Sequence, residues 1–381
     1  MRRITYVILL AAALVMAACA TQAVPTPQRS QATPTTEPAT STPVSSVPTP
    51  TPTVAPPQSQ LAYVGTDGAL WVVNADGTGR RRLVGQCHPT DWLAWSPNGE
   101  VLACERTDYV DSKFTSAIVV VHLTGSVVTE IGDVASISAG YWPPDLALSP
   151  DGTRIAYRAT DNSIKVVTLA SGSSAVVWRD AFPLAWPFAE RLIIGTNVRW
   201  NEMTPGYEAF WLDLRTGATE PIPRLNGPRQ FWLSPDGKKA VLYSGKWNPK
   251  LGGFPLIVYD LATGAEWEIP GSAISYPSEA IPVGQLAISG DSTQIYWANA
   301  RASGLNTNVC RANMNGSGLT LLGVVPSISV RLSGEGVAAF ATHDPPGSPP
   351  RVQVKDFRNE LTVEIPEARG GAIWRPPAFT E

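Results

Sequence analysis

The residues of this sequence that could do acid–base chemistry are few and recur at regular intervals. Asp151, Asp236 and Asp291 each stand two positions after a serine and a few residues before an apolar stretch. Two such carboxylates facing one another would suit the cleavage of glycosidic bonds. Their repetition favours another role, in which each Asp accepts hydrogen bonds from backbone N–H groups of its own turn.

Histidines give no support for a metal or a catalytic triad. The chain has three of them, His88, His122 and His343, in separate segments without the spacing of a zinc site. No residue is marked as a nucleophile by its neighbours. We therefore predict no catalytic residue, no metal and no cofactor.

The first cysteine ends an apolar N-terminal segment. Arg2 and Arg3 precede an apolar run over residues 4–15, and Met16-Ala-Ala-Cys19 follows. This arrangement resembles the lipobox of bacterial lipoproteins, which implies a signal peptide over residues 1–18 and a diacylglyceryl group on Cys19. The alternatives are a secreted protein cut after residue 18 and an uncleaved anchor, although the run is short for a membrane span.

Residues 19–60 have a composition typical of a tether. They are rich in Pro, Thr, Ser and Ala and show no apolar periodicity. Such a segment buries too little surface to offset the entropy of ordering, so we expect a disordered, extended stalk behind the lipidated Cys19. The sequence thus predicts an exported protein anchored to the bacterial membrane on its extracytoplasmic side, in the periplasm or at the cell surface.

Cysteines beyond the anchor are Cys87, Cys104 and Cys310. Export permits a disulfide. Cys87 lies in a loop that enters a predicted sheet and Cys104 ends a strand of that sheet, so we predict that these two residues pair. Cys310 stands in an apolar strand and is expected to be buried and inert.

A repeated hairpin organises the rest of the chain. Residues 146–157, LALSPDGTRIAY, comprise a short apolar strand, a Ser-Pro-Asp-Gly reversal and a second apolar strand. Related segments begin at residues 93, 231, 286 and 330, and a second kind of hairpin with a Gly-containing turn alternates with them. Four strands per period of about forty to fifty residues indicate the blades of an all-β propeller.

First-strand candidates near residues 92, 145, 184, 230, 285, 329 and 372 predict seven four-stranded antiparallel blades over residues 61–381. The C-terminal segment 371–376 is expected to supply the missing first strand of blade 1 and close the ring. Blade 4 keeps the strand spacing near residues 182–194 but lacks the Ser-Pro-Asp-Gly turn. A six-bladed ring with one irregular insertion is the alternative.

The repeat resembles those of TolB-type propellers and of the propeller domains of prolyl-oligopeptidase-type enzymes. Trp95-Ser-Pro-Asn-Gly99 and Trp71-Val-Val-Asn-Ala-Asp-Gly77 carry the resemblance most closely. It implies a WD-like β-propeller and specifies no activity, because one scaffold serves many functions. No hydrolase segment and no G-x-S-x-G motif follows the last blade.

Two rims follow from this topology. The turn rim carries the turns between first and second strands and between third and fourth strands, and the loop rim is opposite. Aromatic and polar residues in the predicted loops of the loop rim have the composition of a recognition surface. Its candidate residues are Tyr109, Asp111, Phe114, Trp200, Glu202, Tyr207, Trp247 and His343. The alternative is that the rings pack between blades and anchor the loops.

Overall charge excludes one class of partner. The formal net charge is −3, with 29 basic and 32 acidic side chains, so a basic footprint for nucleic acid is missing. We therefore expect a monomeric, noncatalytic, membrane-anchored propeller that binds a protein, peptide or cell-envelope glycan through its loop rim. A propeller hydrolase or lyase with an acidic central channel is the alternative.

Overall fold

A computed structural model of the chain describes residues 59–85, 87, 93–110, 113–135, 146–201, 204–226, 231–243, 246, 248–250, 253–272, 286–300, 306–327, 330–342, 351–366 and 368–376. At residues 107–110, 113–114, 197–201, 204–206, 300, 342 and 369–371 it describes the backbone alone. Cys19, the signal segment and the predicted tether up to residue 58 lie outside this range.

The described strands form seven four-stranded antiparallel sheets, which confirms the predicted propeller and its blade number. Blades 1 to 3 contain, from the inner strand outward, β28 (Ala368–Trp374), β1 (Gln60–Gly65), β2 (Leu70–Asn74) and β3 (Arg81–Val84); β4 (Leu93–Trp95), β5 (Val101–Val110), β6 (Lys113–His122) and β7 (Val127–Ile131); β8 (Leu146–Leu148), β9 (Arg154–Arg158), β10 (Ser163–Thr168) and β11 (Ser174–Arg179).

Blades 4 to 7 repeat this order. They contain β12 (Ala181–Phe188), β13 (Arg191–Asn201), β14 (Thr204–Asp213) and β15 (Thr219–Pro221); β16 (Phe231–Leu233), β17 (Lys239–Tyr243), β18 (Leu256–Asp260) and β19 (Glu266–Glu268); β20 (Leu286–Ile288), β21 (Gln294–Ala300), β22 (Thr307–Asn313) and β23 (Thr320–Val325); β24 (Val330–Leu332), β25 (Val337–Thr342), β26 (Arg351–Asp356) and β27 (Leu361–Ile365). A 3₁₀ turn, Pro223–Leu225, follows β15.

Ring closure takes the predicted form. The C-terminal strand β28 pairs antiparallel with β1, with Leu61 opposite Trp374, and becomes the inner strand of blade 1. The indole Nε1 of Trp374 donates a hydrogen bond of 2.9 Å to the carbonyl oxygen of Arg331 in blade 7. The two ends of the propeller are thus joined both within a sheet and between blades.

The core is divided among the spaces between blades. Seven apolar clusters of described residues each join one blade to the next, including one between blades 7 and 1. Burial of both faces of each sheet explains the apolar runs in its middle strands. No described helix is long and apolar enough to cross a membrane.

The Ser-Pro-Asp-Gly turns satisfy their own polar groups. In blade 3, Ser149 Oγ donates to Asp151 Oδ1 (2.6 Å) and accepts from the Arg154 N–H (2.9 Å), while Asp151 also accepts from the Thr153 N–H (3.1 Å). Burial opposes ionisation, but the hydrogen bonds from Ser149 and Thr153 outweigh it and lower the pKa of Asp151. The turn role expected for this Asp is therefore present.

The Cys87–Cys104 pairing is also present, as a disulfide with Cα atoms 5.8 Å apart. It joins the loop before blade 2 to the second strand of that blade. Cys310 is buried on the third strand of blade 6 and takes no part in a disulfide.

Candidate ligand site at the channel mouth

A cavity of about 790 Å³ lies in the central channel, where the seven inner strands converge. Each of these strands is hydrogen-bonded to a neighbour on one side only, so its other edge faces the channel. The wall also includes turn residues that follow the inner strands, and the cavity therefore opens toward the turn rim. These turn residues are Pro97, Asn98, Pro150, Ser234, Pro235, Asp236, Ser333, Gly334, Arg375 and Pro376.

Blades 4 and 5 supply the partly exposed aromatic residues of this wall, whereas Trp95 of blade 2 and Trp374 of blade 1 line it as buried residues. Phe188 ends the inner strand of blade 4, and Phe231 and Trp232 begin that of blade 5; all three line the cavity and are half-buried. Blade 5 differs from the other three-residue inner strands, since every residue of its Phe-Trp-Leu segment is partly exposed. We call Phe188, Phe231 and Trp232 the aromatic wall.

The irregular turn of blade 4 creates this wall. Its inner strand runs eight residues to Phe188, where blades 2, 3, 5, 6 and 7 have a three-residue strand and a polar turn. Pro187 and Phe188 lie over Gly237 in the next blade's turn, so that a Cβ at Gly237 would be 3.0 Å from each side chain. Phe188 also packs on Trp211, with ring centroids 5.9 Å apart. The ring is thus held in place from two sides.

A cation from blade 3 supports the same turn. The Arg154 guanidinium lies 5.0 Å from the centroid of the Trp186 ring and 3.2 Å from Glu190. The Trp186 indole donates to the carbonyl oxygen of Ala189 at 3.3 Å. These contacts fix the turn that presents Phe188.

The charged residues of the described wall already have partners. Asp236 accepts hydrogen bonds from the Ser234 hydroxyl and the Lys238 N–H. Arg375 Nη1 donates to Gln60 Oε1 at 3.1 Å, and burial lowers the pKa of this guanidinium. Among the described residues, no three His, Cys, Asp or Glu side chains come together in a way that could hold a metal. The described mouth is therefore mainly an apolar and aromatic surface.

Most of the predicted loop-rim residues either lie outside the residues that the structure describes or have only their backbone described. Asp111, Glu202, Trp247 and His343 are not among the described residues. Tyr109 and Phe114 pair with each other across β5 and β6, and Trp200 pairs with Pro205 across β13 and β14, with their backbones alone described.

Tyr207 is the member of that set whose side chain is described. Its ring is only 3% exposed and meets Phe182 edge to face, with centroids 5.6 Å apart. Burial raises the pKa of its hydroxyl. The ring packs down between strands, so Tyr207 fits the alternative of a loop anchor and not that of an exposed rim residue.

Sequence reasoning missed the aromatic wall. Phe188, Phe231 and Trp232 stand in apolar runs, and the pattern alone does not separate a ring that faces the channel from one that lies between blades. A signal was available in blade 4, where the polar turn is replaced by Trp186-Pro187-Phe188.

No protein-family model matches the chain, and no curated protein matches it in sequence. Solved structures do resemble it. An oligogalacturonate lyase in complex with manganese aligns with a TM-score of 0.52 and 13% identity, over 82% of this chain and 86% of that one. TolB from Acinetobacter baumannii aligns with a TM-score of 0.46 and 14% identity, over 84% and 67%.

The acylaminoacyl peptidase of Pyrococcus horikoshii aligns with a TM-score of 0.47 and 14% identity, over 71% of this chain and 44% of that one. At these identities the likeness to the lyase shows the fold alone. It agrees with the β-propeller that the repeat resemblance implied. The similar structures include enzymes as well as TolB, and the likeness carries no activity to this chain.

Proposed function

We propose that this chain is an exported, lipid-anchored propeller that binds an extended peptide segment of a partner protein at the channel mouth, without catalysis. The observation that carries the proposal is the 790 Å³ cavity bounded by the aromatic wall. Clefts of a few hundred to a thousand cubic ångströms with apolar walls and few polar groups are the usual form of a ligand site.

Three properties of the mouth favour an extended peptide. The free edges of the inner strands offer backbone donors and acceptors to another backbone. Half-buried aromatic and proline rings offer flat apolar contacts. The two charged side chains of the described wall are engaged within the protein, so the mouth does not select a strongly charged ligand.

Peptide selection on the purified full chain tests the binding site. A library of twelve-residue peptides is selected, and the dissociation constants of enriched peptides are measured by fluorescence anisotropy. We expect Trp232→Ala to weaken binding by about 10-fold or more, as for an aromatic residue at the centre of an interface. Trp178→Ala removes a half-buried ring from the outer strand β11 and serves as the matched control.

Unchanged affinity in Trp232→Ala and Phe188→Ala, with melting curves showing folded protein, would refute the site. Cell-envelope oligosaccharides and oligogalacturonides are assayed in parallel. Binding confined to these sugars, or their cleavage, would refute the peptide ligand and favour the lyase alternative.

The anchor is tested separately. We expect radiolabelled fatty acid to enter the full chain in a bacterial host and Cys19→Ser to abolish both labelling and membrane fractionation. Labelling that persists in Cys19→Ser would refute lipidation at this residue.

A further inference from the structure

The described chain begins beside the cavity. Ser59 Oγ donates a hydrogen bond of 2.6 Å to Glu335, in the blade 7 turn that contributes two residues to the cavity wall. The Gln60 carbonyl accepts from the N–H of Arg375 at 2.7 Å, and Arg375 is itself a wall residue. The segment that precedes Ser59 therefore joins the propeller at the channel mouth.

This segment is long enough to cross the mouth. Residues 47–57 read VPTPTPTVAPP, and their five prolines favour the polyproline II conformation. At about 3.1 Å per residue they would span about 34 Å when extended. Residues of blade 1, where the described chain begins, and the aromatic wall of blades 4 and 5 line one and the same cavity.

The chemistry of the segment matches that of the wall. Residues 38–58 contain no charged side chain, and the two charged side chains of the described mouth have partners. Proline-rich segments in the polyproline II conformation are recognised by aromatic-lined grooves, and their restricted backbone lowers the entropy lost on binding.

We propose that residues 47–57 dock against the aromatic wall of their own chain and compete there with the external peptide. The competition rests on the proposed function, whereas the docking does not. A segment joined directly to its site has an effective concentration in the millimolar range, so even weak intrinsic affinity populates the docked state. An external peptide then binds with an affinity reduced by the occupied fraction.

Photocrosslinking in the full chain tests the docking. p-Benzoyl-phenylalanine replaces Thr51 in the middle of the segment, and in a control protein it replaces Thr35, nearer the anchor. Mass spectrometry then maps the crosslinked residues. We expect the Thr51 probe to crosslink within the same chain to the aromatic wall about 10-fold more than the Thr35 probe does, because it is held there.

Crosslinks from Thr51 to the loop rim or the outer strands, a covalent dimer, or the same yield from both positions would overturn the proposal. A covalent dimer would assign the mouth to the segment of a second copy. Replacing the five prolines by glycine should lower the Thr51 crosslink and raise the affinity for a selected external peptide. If the crosslink forms and no external peptide binds even to the glycine variant, the docking stands and the proposed function fails.

Discussion

Two contacts on the turn rim occupy equivalent positions and use different chemistry. Asn98 of blade 2 lies over Gly152 of blade 3, and its amide donates to the Asp151 carbonyl at 2.8 Å. Phe188 of blade 4 lies over Gly237 of blade 5 in the same way. The first contact is a hydrogen bond between turns, and the second is an apolar contact that leaves one aromatic ring half-exposed.

The difference between the two contacts shows where one repeat departs from the others and exposes an aromatic ring. The polar contact joins two blades through the Asn98 amide, whose donor is hydrogen-bonded to the backbone of the neighbouring turn. The aromatic contact joins two blades as well, and its ring also extends an apolar wall into the channel. Loss of the repeated turn in blade 4 thus coincides with the partly exposed aromatic side of the mouth.

The largest expected difference is between variants that remove each contact between blades. Phe188→Ala removes a half-buried ring and should lower the free energy of unfolding by about 3 kcal/mol. Asn98→Asp keeps the oxygen that accepts from Ser96 and Glu100 and removes the amide that donates to the Asp151 carbonyl, a hydrogen bond worth about 1 kcal/mol. Urea unfolding followed by tryptophan fluorescence measures both. Equal losses would show that the two contacts are energetically alike.

A smaller difference is expected between two glycines with similar backbone. Gly237 and Gly172 have φ of +68° and +67°, so alanine strains both, but a Cβ at Gly237 meets Pro187 and Phe188 while one at Gly172 meets nothing within 4 Å. Gly237→Ala should therefore cost about 1 kcal/mol more than Gly172→Ala. Thermal melting of both variants measures the difference, and a larger loss in Gly172→Ala would contradict the described packing.

The smallest expected effect is on the pH dependence of the free energy of unfolding, through the regular turn around Asp151. Hydrogen bonds lower the pKa of Asp151 below its ordinary 3.8, so its stabilising contribution is present above pH 3.8 and is lost as the pH falls through the folded-state pKa. This exposed group contributes under about 1 kcal/mol. The free energy of unfolding of Asp151→Asn should therefore fall less steeply below pH 3.8 than that of the wild type. The same dependence on pH in both proteins would refute this role of Asp151.

Much of the fold follows from the sequence because the hairpin repeats. The turn pattern around Asp151 predicts two strands and their reversal, and the spacing of the first strands predicts seven blades, with six as the alternative, and a closing strand within residues 371–376. The structure has this strand at Ala368–Trp374. The disulfide followed from the placement of Cys87 and Cys104 around one strand of blade 2.

Much less of the candidate site could be predicted from the sequence. The polar loop residues around Tyr207 predict either an exposed rim residue or a loop anchor, and the packing of its ring on Phe182 agrees with the second. The exposure of Trp232 depends on the spacing of inner strands around the channel, which no local pattern specifies. Long-range packing of this kind decides which aromatic residues form a core and which form a site.

Hydroxyl-radical footprinting with a selected peptide tests most directly whether the mouth is the ligand site. We expect bound peptide to lower the oxidation of Phe188, Phe231 and Trp232 and to leave the oxidation of Tyr109, Trp200 and Trp247 unchanged. Protection of the second set, with the aromatic wall oxidised as in the free protein, would place the ligand on the loop rim and contradict the account.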